Sequence, residues 1–241
     1  MHDMNSASIK LALVAVCAVA VAARMGAVYW NAPYAHGDVT LYSAGAESLA
    51  RQGRLLISAE TEKPFFYSLK KTGGRLLEHN PLFAVLGAGL VKVFGVSGYT
   101  SQQALSFAGG LLLLALVWIY AKRIGGARTA ALAVSLASFS YLLIDFSGNG
   151  SFYGFQAALY LLLLLALEIK GKPMSPIVAG GALGLGALLN QQTVAMAAAL
   201  IVSLVIIYRG RWRQALRYAL ISFGVAFALW LPWGVRNYLV F

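Results

Sequence analysis

Residues 101–123 read SQQALSFAGGLLLLALVWIYAKR, an apolar run from Ser101 to Ala121 closed by Lys122 and Arg123. A run of this length meets the roughly 20 residues that an α-helix needs to cross the hydrocarbon core of a bilayer, and the basic pair marks where it leaves the lipid. Working outward, the same pattern recurs at Thr129–Ile144, Phe152–Leu167, Pro176–Leu189, Val194–Tyr208 and Tyr218–Leu231, and upstream at Ile9–Trp30. The expected fold is therefore all-α: a polytopic transmembrane helical bundle of about seven helices. Several runs are short for a full crossing. Short spans persist where neighbouring helices and water-lined cavities satisfy the backbone, which implies a bundle with a wet interior on one side.

Composition agrees. The 241 residues are 60% hydrophobic and 11% charged, against about a quarter charged in soluble domains. The net charge of +11 is no nucleic-acid footprint, because the cations sit in short clusters between apolar runs. The clusters are Lys122, Arg123 and Arg128; Lys170 and Lys172; and Arg209, Arg211, Arg213 and Arg217. All three are expected on the cytoplasmic side. That places the N-terminus in the cytoplasm and requires Pro176–Tyr208 to be a hairpin turning at Asn190, Gln191 and Gln192. The single cysteine, Cys17, lies inside the first apolar run and offers neither a disulfide nor a thiolate metal site. Lys10–Met25 also has the outline of a signal peptide, but the apolar pattern continues to Tyr29 and Trp30, favouring a retained span with an interfacial aromatic end.

A long outer loop, residues 31–98, separates the first span from the rest. It holds Asp38, Glu47, Glu60, Glu62 and Glu78, five of the eight acids in the chain. Asp38–Gln52 reads as an amphipathic helix lying along the membrane surface, with Asp38 as its cap and Val39, Tyr42, Ala46, Leu49 and Ala50 on the apolar side. Pro81–Phe94, apolar but short for a crossing, reads as a second juxtamembrane or re-entrant helix ended by Gly95.

The candidates for chemistry cluster at this outer surface. Asp38 fits a helix cap and, compatibly, a general base that takes a proton from an acceptor hydroxyl. Glu78, His79 and Asn80 are held before Pro81 and near Arg75, where they fit either an interfacial role or contact with a phosphate or sugar. His36, His79 and Glu78 lack the spacing of a metal motif, so no bound metal or cofactor is expected. Arg24, late in the first span, and Arg236, after Leu231-Pro-Trp233, are cations that either snorkel or meet a lipid phosphate. Asp145, near Asn149, sits where turn chemistry alone would explain it.

In order along the chain, these pieces resemble the GT-C membrane glycosyltransferases, specifically the branch of protein O-mannosyltransferases and lipid A aminoarabinose transferases. The resemblance is carried by an arginine late in span one, by Asp38-Val-Thr-Leu-Tyr42, and by Glu78-His-Asn-Pro81-Leu82 with Phe94-Gly95 after it. Gly184-Leu-Gly-Ala-Leu-Leu189 and Leu231-Pro-Trp-Gly-Val-Arg-Asn237 complete it. It implies a polyprenyl-phosphate sugar donor and an inverting transfer to a protein, lipid or polysaccharide acceptor on the extracytoplasmic face of the cell's inner membrane. Asp38 would be the catalytic base, with Arg24, Tyr42, Glu78, His79, Asp145 and Arg236 in the substrate or lipid-phosphate site. It further implies that residues 1–241 are the N-terminal module (first span 9–30, outer loop 31–98, remaining spans 99–236), with further spans following in the family. The sequence departs from the pattern at Val39, where a second acid is usual, at His79-Asn80 in place of Lys-Pro, and at Asn190-Gln191 in place of Arg-Pro. Two other classes fit the apolar pattern: a lipid or solute transporter, and a non-catalytic scaffold. The concentration of acids in one outer loop, rather than deep in the spans, favours the enzyme.

Overall fold

The structure is a computed structural model that describes residues 6–31, 37–55, 80–168 and 175–240. Among these residues the chain is helical throughout, with no strand. The helices are α1 (Ser6–Asn31), α2 (Gly37–Gln52), α3 (Leu82–Phe94), α4 (Gly98–Ser138), α5 (Tyr141–Gly148), α6 (Tyr153–Glu168), α7 (Ser175–Leu189), α8 (Thr193–Ile207) and α9 (Trp212–Val240). The expected all-α membrane bundle is what forms. By length and composition α4 and α9 can each cross a bilayer, and α5 with α6 makes a third candidate if the pair, bent by 118°, is one span. The remaining apolar helices are shorter: Val14–Trp30 within α1, then α3, α7 and α8.

The expected single span Thr129–Ile144 does not form as such. The polypeptide leaves helical geometry at Gly126 (φ 79°, ψ −173°), then ends α4 at Ser138 and restarts at Tyr141. Gly126 adopts a backbone conformation that side-chain-bearing residues avoid, so the Gly125-Gly126 pair turns the chain within the basic segment. At the second break Phe139 falls out of the helix and Ser140 is extended (φ −66°, ψ 114°). The two helices expected between the first span and the later ones form more nearly as read. α2 matches the expected amphipathic helix, with Asp38 in its first turn rather than at its cap. α3 ends at Gly95 in the left-handed conformation (φ 68°), whose N–H bonds to Val91 O.

α4 is the centre, packing on α1, α2, α3, α5 and α6, while α7 bridges α6 to α9. Its first turns are polar and buried, and they tie the surrounding elements together. Gln102 Nε2 donates to Tyr42 O and Phe83 O, both at 3.4 Å. Gln103 Nε2 donates to Val28 O and Gly148 O, both at 3.0 Å, and Ser106 Oγ donates to Ser151 O. The N-terminus of α4 is capped from α2, where Glu47 Oε1 accepts from Gly98 N at 2.8 Å. In apolar surroundings such side-chain bonds fix which helices meet.

The bundle has two chemically distinct ends. One gathers the start of α2, α3, α4, α6 and α8 with the end of α1, α5, α7 and α9. The other carries the basic segments: Arg123 pairs with Glu168 at 3.8 Å across α4 and α6. There the Tyr218 hydroxyl meets Ser175 Oγ at 2.8 Å. Lys170 and Lys172 lie outside the described residues.

Small residues set the α7–α9 contact. A Cβ on Gly180 would lie 2.4 Å from Ser222 O, and one on Gly184 would lie 2.8 Å from Leu229 Cδ1. Backbone is the obstacle at Gly180, so Gly180→Leu must separate the helices. We expect a loss of about 1–3 kcal/mol, seen as a lower unfolding midpoint in detergent. Gly181→Ala, on a face with nothing within 4 Å, should leave the midpoint unchanged or raised.

Candidate active site

The first turn of α2 delivers Asp38 to the polar end of the bundle, and Tyr42 follows one turn later on the same face. Asp38 is exposed and takes no hydrogen bond or ion pair from the described residues, whereas Tyr42 is buried. The Tyr42 ring is wedged edge-on between Phe83 and Phe152, each centroid 5.8 Å away. These contacts lock α2 to α3 and to the start of α6. Burial first, and then the negative charge of Asp38 and the neighbouring Tyr153, push the Tyr42 phenol above its ordinary range. Tyr42 thus stays a neutral hydroxyl beside the carboxylate.

Two cavities meet around this pair, and a third adjoins the first of them. The central chamber, about 220 Å³, is lined by Asp38, Tyr42, Asn80, Phe152, Leu189, Asn190 and Gln191. A smaller recess of about 140 Å³ shares Asp38, Tyr42 and Phe152 and adds Val39, Asn149, Ser151 and Tyr153. On the other side the chamber shares Asn80, Asn190 and Gln191 with a groove of about 640 Å³ between α7, α8 and α9. The groove is apolar along most of its length, lined by Leu183, Ala197, Phe223, Phe227, Trp230 and Trp233. Asn80 holds the start of α3 to α7 by donating Nδ2 to Ala187 O at 2.6 Å. The turn Asn190–Gln192 closes on itself, with Asn190 Oδ1 accepting from Gln192 N at 3.0 Å.

The other sequence candidates fall at graded distances from this centre. Asp145 lies inside α5 rather than in a turn, and its Oδ2 accepts from Asn149 Nδ2 at 3.2 Å, so it reaches the recess through Asn149. Arg236 stacks on Trp233 with its guanidinium carbon 4.5 Å from the ring centroid, and its Nη1 donates to Asn237 Oδ1 at 3.0 Å. Trp233 and Asn237 both line the groove, so Arg236 contacts two residues of its wall without being one of them. Arg24 is elsewhere: 1% exposed between α1, α4 and α5, it lines none of these three cavities. Glu78 and His79 lie outside the described residues, although the next residue, Asn80, lines both chamber and groove. Among the described residues no three His, Cys, Asp or Glu side chains converge as a metal site would require.

The sequence reading weighs Asn80, with Glu78 and His79, for contact with a phosphate or sugar, and Asn80 does line the chamber and the groove; it reads Asn190 and Gln191 only as a turn, and passes over Gln102, Gln103 and Ser106 as the ties beneath them. The signal was present. Polar side chains at the head of an apolar span are costly unless they bond across helices.

The fold and its chamber define a helical membrane protein with a carboxylate-bearing polar pocket beside an apolar groove, an arrangement suited to a substrate with a polar head and a long apolar tail. A profile of the dolichyl-phosphate-mannose-protein mannosyltransferase family matches residues 78–235. The chain belongs to that family, and is thus a membrane glycosyltransferase of the mannosyltransferase type. The match begins at Glu78 and ends at Val235, so Arg24, Asp38, Tyr42 and Arg236 fall outside it and rest on geometry and sequence pattern. No curated protein and no solved structure matches the chain.

Proposed function

We propose that the chain transfers a sugar from a polyprenyl-phosphate donor to an acceptor hydroxyl on the extracytoplasmic face, with inversion at the anomeric carbon. The observation that carries this reading is that the Asp38 chamber adjoins the apolar groove, the two sharing Asn80, Asn190 and Gln191 in their walls. The sugar occupies the chamber, the isoprenoid chain follows the groove, and the phosphate lies between them. Asp38 takes the proton from the acceptor oxygen as that oxygen attacks the anomeric carbon. The bond from that carbon to the phosphate oxygen breaks on the opposite side, and polyprenyl phosphate leaves with the electron pair. A single displacement of this kind inverts the centre.

The leaving phosphate gains negative charge, so cations and hydrogen-bond donors near it lower the barrier. We assign that role to Arg236, held at the groove wall by Trp233, and from its sequence position to His79; Glu78 is assigned to the sugar or acceptor. Asp145 acts through Asn149 on the shape of the recess. Facing the basic segments toward the cytoplasm puts Asp38 outside, which supports the extracytoplasmic assignment.

The test is transfer of radiolabel from polyprenyl-phosphate mannose in membranes that contain the chain, with the anomeric configuration of the product read by NMR. Label transfer that depends on the chain and inverts the anomeric centre is expected. Transfer indifferent to the chain, or retention of configuration, would overturn the proposal.

A further inference from the structure

We infer that the α7–α8 turn is the phosphate subsite, with Asn190, Gln191 and Thr193 as its hydrogen-bond donors. This rests on the donor reading above and specifies where the donor's phosphate is held. Asn190 and Gln191 line both the chamber and the groove, and a polyprenyl-phosphate sugar can cross from one to the other only with its phosphate at that seam.

The donors at the seam are free for an anion. Asn190 is oriented by its Oδ1, which accepts from Gln192 N, and this leaves Nδ2 without a partner among the described residues. The Gln191 side chain is exposed and unbonded to any described residue. Thr193, the first residue of α8, lines the groove, is only 6% exposed, and its Oγ1 has no hydrogen-bond partner. A buried hydroxyl left unbonded is costly and marks a place where a ligand atom would be gained. It lies at the N-terminal end of a 15-residue helix, the electropositive end of the helix dipole. The backbone N–H groups of Thr193, Val194 and Ala195 already bond to carbonyls of the turn, so the side chains make the subsite. Asn80 is a positioning residue: its amide is spent on Ala187 O, which fixes the end of α7 from which the turn departs.

The experiment measures binding of a polyprenyl monophosphate, with no sugar attached, to the purified full chain in nanodiscs, with the matching polyprenol as control. Three variants conserve shape: Asn190→Asp, which keeps Oδ1 but exchanges the donor for a negative oxygen, Gln191→Glu, and Thr193→Val. Each must keep the unfolding midpoint of the unchanged protein. The two acids are expected to weaken phosphate binding about tenfold or more, and Thr193→Val several-fold, with polyprenol affinity unmoved. Equal affinity across all variants would overturn the subsite and leave the donor reading standing. Displacement by an excess of bilayer phospholipid would also overturn it, marking a general lipid-phosphate surface. No binding by the unchanged protein would overturn the donor reading and the subsite together.

Discussion

Asp38→Asn is expected to reduce sugar transfer by about 10²–10⁴-fold with the protein still folded, since that is the usual contribution of a positioned general base. The substitution is isosteric. Asp38 is exposed and bonds to no described residue, so no native contact is lost that would lower stability. The amide cannot accept the acceptor's proton, yet it retains the shape of the chamber wall and should leave polyprenyl phosphate affinity within about twofold of the unchanged protein. Single-turnover transfer and binding measured side by side separate the two effects. Equal losses in both would make Asp38 a ligand for the donor and not the base. Tyr42 is not a substitute base: burial and the Asp38 charge keep its phenol protonated, so it can only donate or accept a hydrogen bond as a neutral group.

Much of this arrangement is legible in the sequence where a local rule governs it. Apolar length gives the helices, Gly95 ends α3, and the polar triplet at 190–192 turns α7 into α8, because each depends on a few adjacent residues. The position of Asp38 on an amphipathic helix is legible for the same reason. What local pattern does not reveal is which polar groups meet across the bundle. Ser101, Gln102 and Gln103 read as the head of an ordinary span, and only tertiary packing shows Gln102 under Tyr42 and Phe83, or Gln103 joining α1 to α5. The helix break after Ser138 is of the same kind. The segment ASFSY between Ala137 and Tyr141 carries no glycine or proline, and its break has a partner on another helix.

That partner is Arg24, whose replacement by alanine should be the most damaging change to stability among those considered. Arg24 Nη1 donates to Ala20 O at 3.1 Å and to Ser138 O at 3.5 Å. Ser138 is the last residue of α4, where a carbonyl lacks its usual helical partner, and a guanidinium there answers both the lone pair and the negative end of the helix. Beside it Gly110 lets α5 close on α4, since a Cβ at that position would stand 2.0 Å from Ser147 Oγ, while Arg24 Nε would lie at an ordinary contact distance of 3.5 Å. The break released by this contact starts α5, which in turn carries Gly148 to Gln103 and Asn149 to the recess beside Asp38. Arg24→Ala removes the bond and leaves a void, so a loss of about 3 kcal/mol or more is expected, read as a lower unfolding midpoint and a lower yield of folded protein. Arg24→Met keeps most of the volume and relieves the burial of a charge that no described carboxylate balances, so it should cost clearly less. Donor affinity separates this reading from the sequence expectation of a lipid-phosphate ligand. If Arg24 serves the helix break, folded Arg24→Met protein binds polyprenyl phosphate as the unchanged chain does; weakened phosphate binding at an unaltered midpoint would return Arg24 to the donor site.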